Sequence, residues 1–206
     1  MRTRMRGIPF IVSAPSGAGK TTLCKRAVDF FEDLRHSISY TTRKPRPGET
    51  DGVEYRFIDD AAFDAMTERG EFIEYAGVYG KRYGTSGKDL EALLTSGCDV
   101  ILEIDVQGAV RVREALDDTV SIFILPPSIE ACEKRLVSRG KDSPEEIRKR
   151  LEIAEEEIRQ STGYDYIIIN DDLEQAFWKM KSIIVSEKAR AFRMMGLVEG
   201  LFGDII

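Results

Sequence analysis

Residues 14–21 read Ala-Pro-Ser-Gly-Ala-Gly-Lys-Thr and lie between an apolar run and an amphipathic one. That order of residue types suits the holding of a polyphosphate. Gly17 and Gly19 let the backbone curl so that successive N–H groups point inward. The Lys20 ammonium can then reach β and γ phosphates, and the Thr21 hydroxyl can ligate magnesium. Ala14, Pro15, Ser16 and Ala18 complete the loop, and Thr22 follows it. Where the general pattern opens on glycine this chain has Ala14, whose methyl requires a negative φ. The run VILEID, residues 100–105, is an apolar strand ending in acids, an arrangement that brings a carboxylate near magnesium. GTP switch proteins share both features, but their Asn-Lys-x-Asp guanine-reading motif is absent from this sequence.

The remaining composition narrows the chemistry. With His36 the single histidine, a Ser/His triad or a multi-histidine metal site has little to build on. Cys24, Cys98 and Cys132 are scattered and odd in number, which argues against a disulfide framework or zinc knuckle and fits a reducing cytoplasm. A net charge of -6 repels a nucleic-acid backbone, so any phosphate site must be local. The apolar stretches fall far short of the roughly 18 to 20 residues of a spanning helix. Arg2, Arg4 and Arg6 imitate a signal-peptide start, yet the apolar run behind them is short and flows into the glycine-rich loop, so export is not expected.

The elements that must position these residues alternate along the chain. Residues 8–14 read as a strand and 20–31 as a helix, with Leu23, Ala27, Val28 and Phe31 at helical spacing. Further buried strands are expected at 100–104, 121–125 and 166–169, with helices between them, giving a parallel sheet covered on both faces. Ser128, and Ser143 with Pro144 and Glu146, mark two helix starts. Leu173, Ala176, Phe177, Met180, Ile183 and Ile184 stripe a long C-terminal helix. Residues 37–86 differ in kind: rich in Thr, Arg, Pro, Gly and Tyr, with strand-like pieces at 55–58 and 72–76 and a helix at 61–68, they read as an inserted lobe.

With these residues in view, the chain resembles the guanylate kinases of the nucleoside monophosphate kinase family over nearly its whole length. The resemblance rests on SAPSGAGKTT from Ser13, TTRKPRPGE from Thr41, GVEYRF from Gly52, FIEYA from Phe72, YGT from Tyr83, LEIDVQG from Leu102 and IINDD from Ile168. TTRKPRPGE is the specific run; the phosphate loop alone identifies only a superfamily. The resemblance implies one α/β domain: a three-layer phosphate-loop fold with a parallel core sheet, an inserted mixed-sheet GMP-binding lobe over residues 37–90 and a helical lid over 126–160. It implies transfer of the γ-phosphoryl of ATP to GMP, with dGMP an expected second acceptor and magnesium required.

Residue by residue, the resemblance assigns the GMP phosphate to Arg43, Arg46, Tyr55 and Tyr83, with Glu49 beside them. Guanidinium forks and phenol hydroxyls suit phosphate oxygens. It gives the guanine edge to Glu74, with hydroxyls from Ser39 and from Thr85, the latter standing where serine is commoner. Asp105 is expected close to the base or magnesium, partly through water. Arg135, Arg139 and Arg150 are the lid arginines, with Gly140, Lys141 and Asp142 as the hinge. Asn170 and Asp171 are expected near the adenine of ATP, although capping of the next helix explains them equally well. Two other readings remain open: a non-catalytic binding module of guanylate-kinase-like form, and a kinase with another acceptor such as a sugar phosphate. Self-association and the packing of the apolar tail from Gly200 are also left open.

Overall fold

Pro9–Ser13 forms strand β1, and each of its five residues is buried. An apolar run of this length with no polar alternation suits a strand covered on both sides. In this computed structural model, which describes residues 5–78, 80–140, 143–203 and 205, that is its setting. Arg2 and Arg4 of the basic start, Lys141 and Asp142 of the expected hinge, and Asp204 and Ile206 of the tail lie outside the described residues. Strand β2 (Leu34–His36) pairs with β7 (Asp99–Glu103), β7 with β1, β1 with β8 (Val120–Leu125), and β8 with β9 (Tyr166–Ile169), all in parallel. The sequence pattern does not reveal β2, a three-residue edge strand with one buried residue.

Helices cover both faces of this sheet. Leu23, Cys24 and Ala27 of α1 (Lys20–Phe30) join Ala176, Phe177, Met180 and Ile184 of α7 (Leu173–Lys188) over Phe10, Val12, Ile101 and Ile122. On the other face Leu90 and Leu94 of α3 (Gly87–Thr95) and Ala109 and Val112 of α4 (Val106–Ala115) close over Ile11, Val100 and Leu102. Three layers result.

A second sheet contains β3 (Tyr40–Thr41), β4 (Arg56–Phe57), β5 (Phe72–Val78) and β6 (Lys81–Ser86), in the order β4-β3-β6-β5. It is mixed, since β3 runs parallel to β4 and antiparallel to β6. Asp59 caps α2 (Asp60–Glu68), whose buried Phe63 stacks on Phe72 with ring centroids 4.6 Å apart. Strand β6 leads straight into α3, which packs on the main sheet.

Both expected N-caps form: Ser128 opens α5 (Ile129–Arg139), and Ser143 with Glu146 closes a full capping box on α6 (Pro144–Arg159). Gly140 ends α5 at φ 59. The C-terminal stripe from Leu173 to Ile184 lies on one long helix, α7, as expected. After α7 the backbone turns extended at Arg190 and α8 (Ala191–Phe202) begins. Arg190, three residues on, and Arg193, in the first turn of α8, approach the buried Glu187 carboxylate at 3.4 and 3.6 Å. No residue of α8 is buried, and Leu201 and Phe202 are exposed, so the described part of the tail stays outside the core.

Gly7 just before β1 donates its N–H to Leu94 O at 2.8 Å, and a Cβ there would stand 1.8 Å from Cys98 O. Backbone cannot rotate away as a side chain can. Gly7→Ala is therefore expected to cost about 3 kcal/mol, read as a lowered urea midpoint with unchanged slope.

Candidate active site

The loop between β1 and α1 owes its shape to two glycines in left-handed conformation, Gly17 at φ 90 and Gly19 at φ 92. Packing demands them as well: a Cβ on Gly19 would meet Asn170 Nδ2 at 2.4 Å, and one on Gly17 would meet Cys132 O at 3.2 Å. Among the described residues Asp118 is the only non-glycine with positive φ, so Ala14 keeps the negative φ that its methyl requires. Asn170 Nδ2 donates to Ala18 O at 2.7 Å, and Arg135 donates to Asn170 O at 2.9 Å and to Ala18 O at 3.4 Å. A trans peptide sets its N–H opposite its C=O, so anchoring the Ala18 carbonyl from outside leaves the Gly19 N–H facing inward.

At the start of α1, Lys20 Nζ donates to Ile104 O at 3.3 Å and Thr21 Oγ1 donates to Glu103 Oε2 at 3.0 Å. The other Glu103 oxygen stands 3.6 Å from His36 Nδ1. Thr22 is exposed. From the other side, Arg150 of α6 donates to Ser16 Oγ at 3.1 Å. Two helices therefore bring arginines to one loop. Arg139 belongs to α5 by its backbone, and its side chain lies outside the described part of the structure. Asp171 is exposed, and the cap of α7 is Asp172 rather than either residue expected there.

A cavity of about 250 Å³ opens beyond Lys20 and reaches the small sheet. Ser39, Tyr55, Glu74, Tyr83 and Asp105 share its lining with Lys20. Arg43 lies over the Tyr55 ring at 5.2 Å and grips Glu49 through both fork nitrogens at 2.9 Å. These hydrogen bonds hold the Glu49 carboxyl below its ordinary range and raise Arg43. Glu49 also accepts the Arg46 N–H at 2.7 Å, so its oxygens orient the arginine loop, while the Arg46 residue itself is exposed.

Glu74 on β5 is 5% exposed and accepts the Thr85 hydroxyl at 2.6 Å. Burial raises its carboxyl, against the Thr85 hydrogen bond and with the help of Asp105. In this arrangement the Thr85 proton goes to Glu74, so it is not the free donor expected for a base oxygen. Asp105 Oδ1 accepts Gly108 N at 2.7 Å and caps α4. Asp105, expected close to the base or magnesium, lies beside Glu74, and the carboxylate hydrogen-bonded to Thr21 is Glu103. The chain leaves the sheet after Glu103, so the Asp105 side chain turns to the helix start and toward Glu74.

Sequence reasoning passed over Glu103 and Glu157. The signal for Glu103 is its place as the last residue of the apolar strand. Glu157 lies seven residues beyond Arg150 on α6, hence on the same face. Burial pushes its carboxyl up to about 7, against the attraction of Lys20 and with the repulsion of Asp105 added.

A phosphate loop at the C-terminal end of the central parallel strand, faced by a small sheet that carries arginines, tyrosines and a buried acid, defines a phosphate-loop nucleotide kinase. The model of the family described as guanylate kinase matches residues 6–187. The chain is 49% identical to the guanylate kinase of Geobacter metallireducens over 199 residues, 97% of this chain and 98% of the relative. It is 46% identical to that of Neisseria gonorrhoeae, covering 98% of each chain. The crystal structure of guanylate kinase from Anaplasma phagocytophilum matches with a TM-score of 0.78 at 34% identity, over 95% of both chains. The chain belongs to the guanylate kinase family, whose reaction moves the γ-phosphoryl of ATP to GMP. Among the described residues no helix is long and apolar enough to cross a membrane.

A carboxyl raised by folding adds stability that is present below its ordinary value of 4.5 and lost as pH climbs through about 7. Glu157→Gln removes that loss. Urea unfolding is expected to find the variant about 1–2 kcal/mol more stable than the parent at pH 8, allowing for solvent screening, and equal to it below pH 5.

Proposed function

We propose that residues 37–90 hold GMP, that the loop at 14–19 holds ATP, and that residues 126–160 act as a lid over the triphosphate. One observation carries the reading: the phosphate-loop lysine and the buried acid Glu74 line the same cavity, as required if a phosphate donor is to meet the phosphate of a base-selected acceptor. In this reading Glu74, held by the Thr85 hydroxyl, accepts from the N1–H and 2-amino edge of guanine, with Asp105 next to it and Ser39 supplying a hydroxyl. Adenine offers an amino group where guanine has O6, and the mismatch leaves buried groups unpaired. Arg43, Arg46, Tyr55 and Tyr83 bind the acceptor phosphate, and Glu49 keeps the Arg43 fork aimed.

Transfer between phosphates calls for in-line positioning and neutralised charge. The attacking oxygen belongs to a phosphate whose second pKa is about 6, so it is already ionised and no general base is required. Lys20, Arg135 and Arg150 supply positive charge around the transferring group, and the loop amides supply donors. Closure of α5 and α6 about Gly140 excludes water, which would otherwise accept the phosphoryl group. Asn170 acts on the nucleotide through the loop it braces.

Magnesium travels with ATP in this family. Among the described residues no cluster of three or more His, Cys, Asp or Glu side chains is grouped to hold a metal ion. The fit does not depend on one, because magnesium bound to phosphates takes only one or two protein oxygens and keeps several waters. The Thr21 hydroxyl and the Glu103 carboxylate, side by side at 3.0 Å, meet that need. Thr21 would ligate the ion and Glu103 would orient its water, with Asp105, which lines the same cavity, the further carboxylate expected near it. When bound, the ion neutralises charge on the β and γ phosphates.

ADP formation measured across an acceptor panel is expected with GMP and absent with AMP, CMP and sugar phosphates. GMP failing while another acceptor reacts would overturn the reading. Lys20→Met should lower kcat by about 10²-fold or more with an unchanged circular dichroism spectrum, and unaltered turnover would remove Lys20 from its role.

A further inference from the structure

Gly108 is the third residue of α4 and is buried. Its φ lies outside the left-handed region, so its own backbone does not ask for glycine, which is a poor residue inside a helix. The reason lies across the pocket. A Cβ at this position would stand 2.8 Å from Glu74 Oε2, and 3.3 Å from both Glu74 Cδ and Asp105 Oδ1. Non-bonded heavy atoms rest about 3.5 Å apart or more, so one group would have to yield. Each is tied in place: Glu74 Oε1 holds the Thr85 hydroxyl at 2.6 Å, and Asp105 Oδ1 holds the Gly108 N–H at 2.7 Å.

We infer that Gly108 is a specificity-determining positioning residue: by lacking a side chain it lets the Glu74 carboxylate settle against the first turn of α4 beside Asp105, in the orientation that reads the purine edge. The inference rests on the reading of Glu74 as the base-recognising acid and extends it to a residue that itself offers the base no side chain. Helix α4 then does more than cover the sheet. Its surface is the back wall against which the reading carboxylate is set, and one methyl there displaces the acceptor of two base donors by several tenths of an ångström.

The test is Gly108→Ala in the full chain, assayed with GMP and with inosine monophosphate, which keeps O6 and N1–H and lacks the 2-amino group. KM for GMP is expected to rise about tenfold, and the preference in kcat/KM for GMP over inosine monophosphate to shrink by a similar factor. Both kcat and KM for ATP should stay within about twofold of the parent. Glu74→Asp withdraws the carboxylate by one methylene and restores room for the methyl. In the double variant the two penalties should therefore combine to less than the product of the single effects. Parental KM for GMP with parental discrimination in Gly108→Ala overturns the inference. So does a uniform loss across kcat and both KM values, which marks general damage, or independent multiplication in the double variant. Failure of the underlying reading is seen separately, as unchanged discrimination in Glu74→Gln.

Discussion

The carbonyl of Ala18 is the point on which the site depends. Asn170, at the end of an edge strand, and Arg135, from a helix more than a hundred residues away in sequence, both donate to it. Those bonds, with the burial of Ala18 in the core, hold the glycine-rich loop in one conformation. A loop with two residues at positive φ has many alternatives open to it, and the entropy of settling into one must be offset by contacts from outside. In the proposed reading, phosphate recognition by main-chain amides rests on side chains that need not touch phosphate at all.

The charges around the pocket follow a common rule. Four cations of the site already have acceptors: Arg43 has Glu49, Lys20 has Ile104 O with Glu157 facing it, Arg135 has loop carbonyls, and Arg150 has Ser16 Oγ. Isolated charge in a half-buried cleft is costly, so these partners keep the cations desolvated and aimed. A polyphosphate competes for them by bringing more charge and better geometry. The acids on the base side behave differently. Glu74 is buried next to Asp105, two groups of like charge, and burial raises the Glu74 carboxyl. Such a pair is stabilised by a ligand edge that offers hydrogen-bond donors, which is what guanine presents.

Much of this was legible in the chain. The phosphate loop, the strands around it, both capping serines and the unusual stretch between residues 37 and 86 announce themselves through local signals of glycine, capping chemistry and periodicity. The resemblance carried by TTRKPRPGE then implied the acceptor site. Other features were hidden for identifiable reasons. Strand β2 is too short for alternation to register. The break between α7 and α8 lies beyond the last residue of the periodic stripe, which carries no signal of it. Thr85 reads as a free donor until β5 and β6 are paired, when its hydroxyl meets Glu74.

The sequence by itself determined the residue types on which the chemistry rests and the local shapes that carry them, because backbone freedom, helix caps and hydrophobic period act over a few residues. Only the tertiary structure decided which acid serves which purpose. Glu103 and Asp105 are two residues apart and read alike in the chain, yet one meets Thr21 while the other caps α4 and joins Glu74. The direction of a side chain at the end of a strand depends on where the backbone turns, and that turn is fixed by the packing of elements far apart in sequence.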